Sequence, residues 1–345
     1  MRIKNTEIAE KLGISKTAVS LAINNKPGVS EETRQKVLKM ISDSLADTVP
    51  SAGKSTVSSG SILLSVHKTH GKVINDKPFF SNLVETIQLE AMRADYLLTI
   101  THYMPGQNIE QYMNYIQSLN VNGIIVMATE LDQDGLNSYM KLNIPMILLD
   151  ATFDLADVDS VALDNQRAIF RAFDYGYRMG HREIGFLKSS TFINNFGHHY
   201  DGYVKGIREY GLEDSNHPVI SLPCTMEEAY LEMKEFLKHP PKGFKMPTLF
   251  LADLDYIALG AMKAVKEAGY KVPEDVSFIG YDDVSACEIS DPPLTTTRVN
   301  RGDVGRIVMN RLIHKLKEPS DFYTTTQVSS KLIIRESVAD RNSGR

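Results

Sequence analysis

Apolar residues in the first forty positions recur at helical spacing. Ile8 and Leu12 lie four apart, as do Val19 and Ile23, which predicts two short helices with inner faces set by those pairs. Gly13 between them suits the left-handed backbone of a tight turn, Asn5 or Thr6 can cap the first helix, and Ser15 can cap the second. The outer stripe of the second helix carries Lys16, Thr17, Ser20, Leu21 and Asn24. Ser30 then caps a third helix, with Glu31 and Glu32 at its positive end and Val37, Met40 and Ile41 closing a small core. Two short helices, a glycine turn and an outward polar stripe predict a helix-turn-helix head. A plain helical bundle would share the periodicity, but a small basic stripe beside a glycine turn favours a DNA-reading role.

Past position 46 the pattern changes twice. Residues 47–61, DTVPSAGKSTVSSGS, are rich in Ser, Gly and Thr and read as a linker. Beyond it, continuous apolar runs at 62–66, 96–101, 123–128, 145–150, 184–187, 248–252 and 276–281 read as strands buried on both faces. Amphipathic stretches at 80–93, 165–179, 203–210, 257–268 and 303–316 read as helices between them. This alternation predicts parallel sheets flanked by helices, and its length predicts two such sheets, hence two doubly wound lobes with a ligand cleft at the carboxyl ends of the strands.

Charge sharpens the division of labour. The chain carries net charge −5, yet residues 1–41 hold eight basic and four acidic residues, a net of +4, which leaves −9 for the remainder. A basic head on an acidic body places phosphate attraction at the helix-turn-helix and repels DNA elsewhere. Cys224 and Cys287 are the two cysteines, and their separation suggests buried thiols of a reducing compartment instead of a disulfide frame. No apolar signal region opens the chain, and no run reaches the length of a membrane span, so a cytoplasmic protein associated with the bacterial nucleoid is expected, with no membrane partner.

Candidate chemistry clusters at strand ends. Asp150 closes the run from Pro145 and Asp282 follows Tyr281, and both carboxylates could accept hydrogen bonds from ligand hydroxyls. Phe79 and Phe80 could stack on an apolar ligand face. An Asp after a strand also caps the following helix, and paired Phe also pack cores. Catalysis finds little support: His67–His70 and His198–His199 lack further partners at metal-ligand spacing, and no phosphate-binding or dinucleotide loop is present. The sequence predicts no enzyme, no catalytic residue, no cofactor and no metal.

The ordered set of motifs resembles the lactose-repressor (LacI/GalR) family of bacterial transcription regulators along essentially the whole chain. The resemblance is carried by 14–34, by Lys77-Pro78-Phe79-Phe80, and by 121–126, 179–186, 258–262, 272–283 and 292–296. It implies a homodimer whose paired heads bind a roughly palindromic operator in double-stranded DNA. It also implies a body of periplasmic sugar-binding type, in which a small sugar-like metabolite between the lobes controls the heads. By position, Lys16 and Thr17 become base readers and Leu21 the third reading position, while Thr6, Ser15, Ser20, Asn24 and Lys26 take DNA-contacting roles. Phe79, Phe80, Asp150, His199, Asp253 and Asp282 become effector contacts. The corresponding organisation is a head at 1–46, a hinge at 47–61, a body at 62–338 and a tail at 339–345. Within the body, one lobe takes 62–161 and 292–323, and the other 162–291 and 324–338. The alternative is a binding protein of periplasmic type with no DNA function.

Three features depart from the family pattern: the third reading position, the linker and the pocket. Leu21 replaces an Arg that reads guanine, so operator preference shifts toward a thymine methyl or another apolar edge. The segment 52–59 is a poor helix former, with Val57 its one apolar residue able to wedge into a minor groove. His199 stands where Arg usually precedes a Gly-aromatic pair by three, and Leu254, flanked by Asp253 and Asp255, stands where Asn is usual. Both pocket changes favour a bulkier or less polar effector than a simple monosaccharide.

Overall fold

The computed structural model describes residues 8–9, 12–23, 29–30, 33–34, 36–37, 59–74 and 78–342, with the backbone alone at 17, 20, 23 and 78–81. The chain divides into two compact units, Met1–Ser58 and Ser59–Arg345.

In the first unit, helix α1 spans Lys16–Ile23. It starts where the cap was expected, since Ser15 Oγ accepts from the Ala18 N–H at 3.1 Å. Gly13 ahead of it holds a φ of 63°, the left-handed turn a side chain would oppose. Ile8, Ala9, Val19, Ala22 and Val37 form the buried core, with Leu12, Ile14 and Val29 packed against it. Ser30 Oγ accepts from the Thr33 N–H at 3.2 Å, the cap of the third helical stretch. The expected core residues Met40 and Ile41 lie outside the described residues.

The second unit builds two six-stranded sheets. The first contains β1 (Gly60–His67), β2 (Tyr96–Tyr103), β3 (Gly123–Met127), β4 (Met146–Leu149), β5 (Asp159–Leu163) and β11 (Thr325–Val328), in the order β11-β5-β4-β3-β1-β2 and parallel throughout. The second contains β6 (Ile184–Ser189), β7 (Val219–Leu222), β8 (Leu249–Ala252), β9 (Ser277–Asp282), β10 (Thr295–Arg298) and β12 (Lys331–Ile333), in the order β12-β10-β9-β8-β6-β7. Its β10–β12 pair runs antiparallel and its other pairs parallel. Helices α2 (Pro78–Arg93), α3 (Ile109–Ser118) and α4 (Gln133–Met140) join strands of the first sheet. Helices α5 (Asn165–Arg178), α6 (Asn194–Glu209), α7 (Met226–Lys238), α8 (Asp255–Glu267) and the short α9 (Ala286–Ile289) belong to the second part, and α10 (Arg301–Lys317) packs against α2.

The chain crosses between sheets after β5, after β10 and after β11. The lobe boundaries expected from sequence are therefore corrected at the carboxyl-terminal end. Strand β10 (expected in the first lobe with 292–323) belongs to the second sheet, and β11 (expected in the second with 324–338) belongs to the first. Short Thr-rich strands bear no lobe signature, and only their pairing partners assign them. Strand β2 also departs from expectation. Its apolar run predicts burial on both faces, but it is the edge of its sheet, and Leu97 and Ile100 are exposed.

Candidate functional site

Parallel strands that share a direction deliver their carboxyl ends to one rim, and in this body the two rims face each other across a cavity. It is lined by Val73, Thr129, Asp150, Leu163, Asn165, Ile193, Asn195, Phe196, His199, Leu254, Tyr281 and Asp282, and encloses about 450 Å³ including its open mouth. Asp150 directly follows β4 with a φ of 73°, and Asp282 ends β9 with a φ of 113°. Non-glycine residues rarely occupy that region, and both residues that do so at these strand ends line the cavity.

Each carboxylate has a distinct setting. Thr129, just past β3, donates its hydroxyl to Asp150 Oδ2 at 2.6 Å. Burial raises the Asp150 carboxyl to about 6, against hydrogen bonds from Thr129 and Asn195 and the nearby His199, while the charge of Asp282 pushes it up further. Asp282 sits on a braced turn. Asp283 next to it pairs with Arg298 and with Arg335, the latter at 2.7 Å, and Arg301 donates to the Asp282 carbonyl at 3.1 Å. Behind the turn, Asp255 accepts from Thr296 Oγ1 at 2.5 Å and from the Val284 N–H at 2.9 Å, and burial followed by the Asp282 charge raises its carboxyl to about 7.

His199 occupies the middle of a buried network. Its Nδ1 lies 3.2 Å from Asp253 Oδ1 and its Nε2 lies 3.3 Å from Asn165 Oδ1, which also accepts from the Tyr281 hydroxyl at 2.6 Å. The imidazole packs on the Tyr281 ring at 4.2 Å between centroids. Asp253 is not a cavity wall. It is fully buried behind His199, and its second oxygen accepts from the Ser189 N–H at 2.6 Å. A shorter imidazole in place of Arg therefore turns the polar capacity of this corner inward, and Leu254 beside it adds an apolar wall.

Of the six effector positions expected from sequence, the structure brings Asp150, His199 and Asp282 to one cavity and places Asp253 one layer behind. Phe79 and Phe80 begin α2, and their side chains lie outside the described residues. Sequence reasoning does not find Thr129, Asn165, Asn195 or Tyr281. Asn165 and Thr129 follow strands, the one signal that could have found them.

Loop 68–74 closes one side of the cavity through Val73. Glu130, adjacent to Thr129 and buried, holds this loop with both oxygens. Oε1 accepts from the Val73 and Ile74 N–H groups at 2.7 and 2.8 Å, and Oε2 from Gly71 and His70 at 2.7 and 3.2 Å. The histidine pairs noted in the sequence diverge. His67 stacks on Tyr103, with burial lowering it to about 4, whereas His70 faces Glu130 at 3.3 Å. His198 is partly exposed and 3.9 Å from Asp201. Among the described residues no group of His, Cys, Asp or Glu could hold a metal ion, and no helix is long and apolar enough to cross a membrane.

On the head, Ser15 and Lys16 are exposed at the start of α1, and Leu21 is half-buried. The Ser15 hydroxyl is already engaged as the cap. Thr17 and Ser20 lie on α1 with side chains outside the described residues, as do Thr6, Asn24, Lys26 and Val57 entirely.

Comparison with known proteins agrees with both parts. Residues 6–44 match the family model for bacterial regulatory proteins of the lacI family, and residues 71–336 match that for periplasmic binding proteins and the sugar binding domain of the LacI family. The chain is 28% identical over 341 residues to the HTH-type transcriptional repressor PurR of Pasteurella multocida (strain Pm70), covering 97% of this chain and 98% of that one. It is 29% identical over 351 residues to PurR of Haemophilus influenzae (strain ATCC 51907 / DSM 11121 / KW20 / Rd), covering 96% and 97%. In fold it resembles the transcriptional regulator CelR in complex with cellobiose, with TM-score 0.71 at 21% identity over 97% of this chain and 100% of that one. It also resembles the lac repressor dimer bound to operator and the anti-inducer ONPF, with TM-score 0.70 at 20% identity over 98% and 100%.

Proposed function

Because the chain belongs to the LacI family of bacterial regulatory proteins, we propose that it is a homodimeric, cytoplasmic repressor released from or locked onto its operator by a sugar-like metabolite held between Asp150 and Asp282. The observation that carries this reading is the cavity itself. Asp150 rides on the first sheet and Asp282 on the second, so a ligand that bridges them binds a closed arrangement of the lobes better than an open one. Only such differential affinity lets a ligand shift a conformational equilibrium.

Two heads per operator require a dimer, and the body offers a surface for it. Leu89 and Met92 on α2 and Leu97 and Ile100 on the edge strand β2 are exposed on neighbouring elements. Leu89, Met92 and Ile100 share the α2 side of that sheet edge while Leu97 points to its other face, and exposed apolar residues at a sheet edge and its flanking helix are a common subunit contact. Base reading falls to Lys16, Thr17 and Leu21, with Thr6, Ser15, Ser20, Asn24 and Lys26 positioning the head on phosphates and Val57 serving the linker.

Fluorescence anisotropy on genomic fragments tests the reading. Specific binding should weaken with salt at a slope of about −0.9 per phosphate contacted, and Lys16→Ala should reduce both affinity and specificity. Asp282→Ala should leave operator binding in place and abolish the response to effector. No retained duplex, or an unaltered effector response in Asp282→Ala, would overturn it.

A further inference from the structure

A second cavity lies beside the one between Asp150 and Asp282, and the two share Leu163, Asn165 and Asn195 as walls. It encloses about 1,090 Å³ including its open mouth. Both lobes build it. The first supplies Phe153 and Asp154 from the loop after β4, Tyr323 from the approach to β11, and Gln327 from β11 itself. The second supplies Gln166 from α5 and His198 from α6.

The shared wall is fixed from its inner side. Asn165 Oδ1 accepts from the Tyr281 hydroxyl at 2.6 Å and lies 3.3 Å from His199 Nε2, and the Asn195 side chain hydrogen-bonds to Asp150. Both asparagines are buried, yet the residues that follow them lead outward. Gln166 comes directly after Asn165, and His198 lies three residues beyond Asn195 on the same face of α6. One helix start and one helix face therefore serve both spaces.

The two spaces differ in chemistry. The inner one sets apolar Val73, Ile193, Phe196 and Leu254 around its two carboxylates. The outer one sets two amides, an imidazole and a carboxylate around the rings of Phe153 and Tyr323. An amide both donates and accepts, as a sugar hydroxyl does, and an aromatic ring offers a flat apolar surface to the apolar face of a sugar ring. Lys315 Nζ stands 5.0 Å from the Tyr323 ring centroid and holds that ring at the cavity edge. Pockets for small organic ligands measure about 300–1,000 Å³, so each space has room for a ring of its own.

We propose that the effector is a glycoside of two linked rings. One ring sits between Asp150 and Asp282, the linkage passes Asn165 and Asn195, and the second ring lies against Phe153 and Tyr323 with hydrogen bonds to Gln166 and Gln327. This rests on the inner cavity being the effector site. Gln166 and Gln327 belong to different lobes, so the outer ring adds a second bridge that favours the closed arrangement.

Calorimetric titration of the full-length protein tests this with matched probes: cellobiose and maltose against glucose, lactose against glucose and galactose, and sucrose against glucose and fructose. At least one disaccharide should bind about tenfold or more tightly than either of its component monosaccharides. Gln166 and Gln327 are exposed, so Gln166→Ala and Gln327→Ala should fold, and each should cut that margin to about threefold or less. A panel in which no disaccharide binds, a monosaccharide that binds as tightly as its disaccharide, or a margin that survives both substitutions would overturn the assignment. If a monosaccharide binds, alters operator affinity and loses that effect in Asp282→Ala, the effector site stands and the second ring does not. Tight disaccharide binding that ignores Asp282→Ala would overturn the inner seat, and the effector-site reading with it.

Discussion

Glu130 offers a sharp test of how the cavity wall is held. Replacing it with Ala removes the acceptor for four backbone N–H groups, of which those of Val73 and Ile74 belong to buried residues. An orphaned buried donor costs about 1–3 kcal/mol, whereas water can reach His70 and Gly71, so the expected loss is about 3 kcal/mol. The pH dependence has a fixed sign. Burial alone would raise the Glu130 carboxyl, but the N–H groups of Ile74, Val73 and Gly71 outweigh it, helped by His70, and hold it below its ordinary value of 4.5. A depressed folded value means the stabilisation is complete above about 4.5 and is lost as pH falls through the folded value, so wild type and variant should converge in acid. Urea unfolding followed by far-UV circular dichroism is the suitable assay, because the chain has no tryptophan. The variant should also bind effector more weakly, as Val73 loses its support. A loss below about 1 kcal/mol at pH 7, or one that does not shrink as pH falls through the folded Glu130 value, would refute the reasoning.

Other perturbations probe different layers. A methyl group at Gly202 would lie 2.3 Å from the Gln166 carbonyl oxygen and 3.1 Å from Ile169 Cβ, so Gly202→Ala should force α6 from α5 and cost about 1–3 kcal/mol in urea unfolding. Asp159 is buried and binds Arg311 at 3.1 Å, Lys315, and both the N–H and hydroxyl of Thr324. Asp159→Ala should cost about 2 kcal/mol, discounted from a fully buried pair because Arg311 and Lys315 are partly solvated, and thermal melts should show it. His199→Leu should cost about 3 kcal/mol by stranding the Asp253 carboxylate, and adding Asp253→Asn should recover part of it, a coupling that a double-mutant cycle reads directly.

Legibility in the sequence varies with local signal. Continuous apolar runs such as 123–128 and 248–252 correspond to β3 and β8, and the 165–179 pattern ends within a residue of α5. Strands β5, β10 and β11 are among those that escape it. Asp159, Thr295, Thr296 and Thr325 give them no apolar run, and their polar groups are satisfied by distant partners such as Arg311 and Asp255. The start of α6 at Asn194 escapes too, because its first turn, Asn194-Asn195-Phe196-Gly197, has no helical apolar spacing, although it carries Asn195 and Phe196 into the cavity.

By itself the sequence determined the helix-turn-helix pattern, the paired alternating lobes and the strand-end positions of Asp150 and Asp282, because each rests on spacing along the chain. Tertiary structure decided that Asp253 retreats behind His199, that Glu130 anchors the loop bearing Val73, and that β10 and β11 exchange lobes. Those outcomes depend on which distant groups satisfy one another's hydrogen bonds and charges once water is excluded, and no local pattern records such partners.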